Sequence, residues 1–122
     1  MSVSVLQTFL AVETVAFALA SLIHAGFVIP GYTHRNAHIA ETVLAIVLFT
    51  GLATTVVAPE HARRSALVTQ GIALLGTCIG VFVSAIGVGP RTIPDFLYHG
   101  IMIVLLLSGV LYARRPEVRG VS

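Results

Sequence analysis

Tryptophan and lysine are absent from this 122-residue chain, cysteine occurs once, and aspartate and glutamate together number only five. Charged residues make up 10% of it against 57% hydrophobic, with a mean hydropathy of +0.98. Few water-soluble folds of this size could cover so much apolar surface with so few charges. The lone Cys78 cannot form an intrachain disulfide and reads as a packing side chain. Without a set of thiolates, neither a structural zinc finger nor an iron–sulfur cluster has its ligands. No phosphate loop, nucleotide motif or nucleophile-plus-base set appears, so hydrolase and kinase readings have no support and enzyme status stays open. The first ten residues carry no Lys or Arg, so a cleavable signal peptide is not expected. The alternation that marks outer-membrane strands is missing as well.

What the chain does contain is four long apolar runs, at about 5–28, 37–57, 66–88 and 96–112. All five prolines, Pro30, Pro59, Pro90, Pro94 and Pro116, fall outside these runs, where proline punctuates helix ends. Tyr32, Tyr98 and Tyr112 lie at run ends, as an interfacial aromatic belt places them. The prediction is an all-α polytopic membrane protein: one domain over residues 1–122, an up-down bundle of four transmembrane helices, with the lipid bilayer as its partner.

Arginines set the expected orientation. Arg63, Arg64, Arg114, Arg115 and Arg119 flank one side, whereas Arg35 and Arg91 flank the other. The positive-inside rule then puts both termini and the second loop in the cytoplasm, with loops one and three facing outward. The pI of 9.2 reflects this topology, and no nucleic-acid partner is expected. Glu60 and His61 read as a solvated turn in the second loop, and His34 as a residue of the first.

Against this background, His24, Glu41 and His99 fall at one common depth on three different helices. His24 lies roughly 6 Å inside its helix end, by a rise of about 1.5 Å per residue, and the other two lie about one turn in. An ionisable side chain in the hydrocarbon costs roughly 2.5–3.5 kcal/mol on insertion scales, which makes such a cluster a candidate functional site. His38 shares a helical face with Glu41, and Asp95 shares one with His99. Imidazole and carboxylate together suit zinc, iron, copper or manganese, so His24, His38, Glu41 and His99 are candidate metal ligands. Asp95, Arg91 and Tyr98 would stand behind them, Asp95 orienting an imidazole or capping the fourth helix. The same residues admit a b-type haem held between His24 and His99, with Arg35 and Arg91 available to its propionates. Redox chemistry, metal handling and a quinone partner are all compatible with such a site. Two plainer readings stand beside these: a polar network with no cofactor, and interfacial side chains that snorkel to the headgroups.

Glu13 is separate, about 12 Å inside the first helix from the opposite end. With no arginine at that depth it calls for a proton or a hydrogen-bond partner, and Gln70, Thr50 or Thr54 are the candidates. Glu13 and His24 lie close to three turns apart on one face, which suggests a proton route through Glu13 and Gln70.

The segment AVETVAFALASLIHAGF, residues 11–27, resembles small multidrug resistance exporters, which implies proton-coupled transport of a small molecule through Glu13. The chain departs from that family in having no tryptophan and in carrying the histidine–carboxylate cluster. AHIAETVLAIVLFTGLA (37–53) and GVGPRTIPDFLYHG (87–100) resemble small bacterial four-helix integral membrane proteins, a likeness that implies a bacterial inner membrane and transfers no reaction. A faint internal echo, Pro30 before His38 and Pro90 before His99, suggests a duplicated hairpin. Gly76 and Gly80 form a small-xxx-small pair suited to a neighbouring helix or to a homodimer.

Overall fold

A computed structural model describes residues 1–116, and within them the chain forms four helices and no strand. These are α1 (Val3–His24), α2 (Arg35–Val57), α3 (Ala62–Ala85) and α4 (Ile93–Ala113), with a single 3₁₀ turn at Pro59–His61 leading into α3. Each of the four is long and apolar enough to cross a membrane. Successive helices pack side by side, and α4 closes back on α1, giving a four-helix bundle. Arg119, one of the arginines used for orientation, lies outside the described residues.

The bundle is apolar outside and partly polar within. Val15, Phe49, Leu75, Phe82 and Val104 point outward, while Glu13, Gln70, Thr55, Thr77 and Ser84 are buried beside Leu6, Leu10, Leu48, Met102 and Leu106. In water this distribution would be unfavourable; in lipid the outer side chains are solvated by acyl tails, and the interior polar groups can bond one another.

Two helix ends come earlier than hydropathy places them. α1 stops at His24 and α3 at Ala85, although Phe27, Val28, Ile86 and Val88 continue the apolar runs. The cause is glycine. Gly26 and Gly87 both take φ of +89°, and each closes a Schellman motif. At α1, Gly26 N–H donates to Ile23 O and Phe27 N–H to Leu22 O; at α3, Gly87 N–H donates to Ser84 O and Val88 N–H to Val83 O. Both motifs lie at the same end of the bundle, the end carrying the α1–α2 and α3–α4 loops.

The helices that leave those loops start with caps. The ring Nδ1 of His34 accepts the Ala37 N–H at 3.2 Å, so this residue is the N-cap of α2. Thr92 caps α4, two residues before Pro94, and forms a reciprocal capping box with Asp95. Gly76 and Gly80 of α3 are occupied within the chain, Gly76 against Leu44 and Gly80 against the His99 ring.

Candidate functional site

Side chains from three helices meet where α1 ends. His24 is that helix's last residue, and it is 4% exposed. Its Nδ1 lies 2.7 Å from Oε2 of Glu41 on α2, and its Nε2 lies 3.2 Å from Oδ1 of Asp95 on α4. Glu41 and Asp95 are buried too. Asp95 is held in place by its cap: the Thr92 N–H, at 3.0 Å, and the Thr92 hydroxyl both donate to Oδ2, which leaves Oδ1 for the imidazole. One carboxylate thus starts α4 and ties α4 to α1.

The two remaining candidate ligands turn elsewhere. His38 Nδ1 sits 3.0 Å from the carbonyl of Ser21 and 2.9 Å from its hydroxyl, and Thr42 completes that cluster with a 2.7 Å contact to the same hydroxyl. His99 turns Nδ1 back to the carbonyl of Asp95, one helical turn earlier, at 2.7 Å, and places Nε2 against Gly80. Arg91 is exposed, and its guanidinium folds back toward Gly87 at the end of α3.

This geometry does not assemble the four expected ligands. The ring nitrogens of His24 point away from one another, so Glu41 and Asp95 lie on opposite sides of the imidazole and cannot meet at one ion. Among the described residues no three His, Cys, Asp or Glu side chains are grouped to hold a metal. A haem between His24 and His99 would need a free nitrogen on each ring, and His24 has both of its nitrogens bonded.

Two cavities flank the triad. The first, of about 280 Å³, lies among all four helices at the loop end and is bordered by Phe17, Leu44, Thr77, Val83, Tyr98, His99 and Glu41. Its walls are mostly apolar, but the hydroxyls of Ser84 and Tyr98 on its border are buried without any hydrogen-bond partner. Phe17 meets Tyr98 edge to face at 6.1 Å, and the His99 ring lies 5.5 Å from Tyr98 on another side, which fixes the phenol. Among the described residues the lining holds one carboxylate, Glu41, two imidazoles, His34 and His99, and no arginine. The second cavity, of about 340 Å³, is bordered by His24, Asp95, Tyr98, Ala20, Ile29 and Tyr32. Tyr98 borders both.

Ser84 went unnoticed in the sequence. Its signal was a hydroxyl within the last turn of an apolar helix, at the end where the other polar residues gather.

Deeper in the bundle, Glu13 is fully buried and pairs with Gln70, whose Nε2 donates to both carboxyl oxygens at 3.0 Å. Gln70 is one of the three partners expected of it. Thr50 and Thr54 instead donate to carbonyls of their own helix, to Ile46 O and Thr50 O. Gln70 Oε1 has no partner.

No family profile, curated protein or solved structure matches this chain.

Proposed function

We propose that this protein is a membrane-embedded receptor for a small uncharged molecule that carries a carbonyl or hydroxyl oxygen. The observation that carries this reading is the pair of unpartnered hydroxyls, Ser84 and Tyr98, on the border of an otherwise apolar cavity. A buried hydroxyl without a partner costs about 1–3 kcal/mol, and a ligand oxygen that reached either one would recover that cost. A mostly apolar cleft with a few polar groups is also the usual form of a small-molecule site. Charge selects further: with Glu41 on the wall and no arginine among the described lining residues, an anion would meet a carboxylate and no permanent counter-charge.

The metal and haem readings of His24, His38, Glu41 and His99 have no comparable support, because His24 and Glu41 bond each other while His38 and His99 turn to backbone carbonyls. The exporter-like reading lacks a link between acid and ligand, because Glu13 does not border the cavity.

Three probes of one ring shape separate the possibilities: naphthoquinone, naphthalene and naphthalene sulfonate, each titrated against the protein in lipid nanodiscs. Saturable binding is expected for naphthoquinone alone. In Ser84→Ala with Tyr98→Phe, two lost hydrogen bonds at about 1 kcal/mol each predict a loss of roughly thirtyfold. Equal uptake of all three probes, or no change in the double variant, would overturn the reading.

A further inference from the structure

The His24 triad forms the partition between the two cavities: Glu41 faces the first, Asp95 faces the second, and the imidazole joins them. We propose that His24 relays a proton between these cavities.

The argument is a count of protons. Two hydrogen bonds, Glu41–His24 and His24–Asp95, require two protons shared among three groups. The protons can be arranged in three ways. Asp95 can be the acid while neutral His24 donates from Nδ1 to ionised Glu41. The ring can instead hold both protons between two carboxylates. Or Glu41 can be the acid while neutral His24 donates from Nε2 to Asp95. Every arrangement keeps both bonds and the same total charge, so passing from the first to the third breaks no contact. In that passage Asp95 O–H breaks as Nε2–H forms, and Nδ1–H breaks as Glu41 O–H forms. Release of the Glu41 proton to the first cavity and uptake of one by Asp95 from the second then complete the crossing of one proton, with no net change in the number bound. Turning the ring over, so that its remaining N–H again faces Glu41, resets the relay.

The surroundings suit this task. The three side chains are buried, so bulk water does not short-circuit the ring. Thr92 fixes Asp95 through Oδ2 and leaves Oδ1 to the proton path. The other titratable groups around the triad are His34, whose ring lies 6.5 Å from that of His24, His99 beside the first cavity with its Nδ1 on the Asp95 carbonyl, Tyr32 beside the second cavity and Tyr98 beside both. α3 contributes none to either cavity, and His38 is engaged by Ser21. A structural latch would need only one fixed arrangement of protons, whereas a relay needs the first and third to interconvert.

Solid-state NMR of the full chain in lipid bilayers, with histidine labelled at its ring nitrogens, reads this directly. The relay predicts exchange of the His24 ring between its Nδ1–H and Nε2–H forms in the wild type. Glu41→Gln should lock the ring as Nε2–H facing Asp95, and Asp95→Asn should lock it as Nδ1–H facing Glu41. A single unchanging tautomer in the wild type, or an imidazolium that never gives up a proton, would overturn the proposal even if neither variant folds. No ligand is needed, so this outcome is independent of the naphthoquinone titration.

Discussion

Gly109 on α4 brings its backbone so close to Gln70 on α3 that a β-carbon there would sit 2.1 Å from Nε2 and 3.0 Å from Oε1 of Glu13. The absent side chain is what lets α4 cover the Glu13–Gln70 pair. Gly109→Ala therefore overpacks a buried site, and we expect a loss of about 1–3 kcal/mol. Reversible unfolding in mixed micelles measures it; unchanged stability would mean that α4 can move away at no cost.

Gln70 supplies the hydrogen bonds that Glu13 receives from another side chain. Gln70→Leu leaves a buried carboxyl without its donor, at about 1–3 kcal/mol or more. Replacing both, Glu13→Leu with Gln70→Leu, removes the orphaned group and should recover part of that loss. The same unfolding assay decides it: a double variant less stable than Gln70→Leu would show that Glu13 is held by something other than the amide.

Thr92 and Asp95 share one cap, but only Asp95 reaches His24. Thr92→Ala should cost what a cap costs, about 0.5–2 kcal/mol. Asp95→Ala should cost that and roughly 1–3 kcal/mol more, because it also strips a partner from a buried imidazole. Equal losses would show that the His24–Asp95 contact contributes nothing to stability.

How far these relationships could be read from the sequence depended on the kind of constraint behind each. The four helices were legible because long apolar runs interrupted by proline have few other structures open to them. The ends of α1 and α3 were not, because Phe27 and Val88 look like helix while Gly26 and Gly87 end it by adopting a positive φ. Glu13 and Gln70 were legible as partners because a deep polar group has almost nothing else to bond. The cluster at the loop end was half legible. Common depth grouped His24, Glu41 and His99, with Asp95 beside them only through its face shared with His99, and depth says nothing about the direction of a ring. His99 and His38 each found a backbone carbonyl within reach, one on its own helix and one on α1, and took it. The cavity escaped notice altogether, since an empty space between helices is set by side-chain shape and leaves no pattern in hydropathy.

The buried polar contacts divide by which halves of the chain they join. Glu41 ties to His24 within the first hairpin, α1 with α2. Asp95 to His24 and Gln70 to Glu13 both cross to the second hairpin, α3 with α4. His24 and Glu13 are eleven residues apart on α1, or roughly 16 Å along its axis. A single fastening between two rods leaves a pivot. Two at separate heights remove it, so these four side chains, together with the packing of α2 on α3, oppose both sliding of the second hairpin along the first and swinging about it.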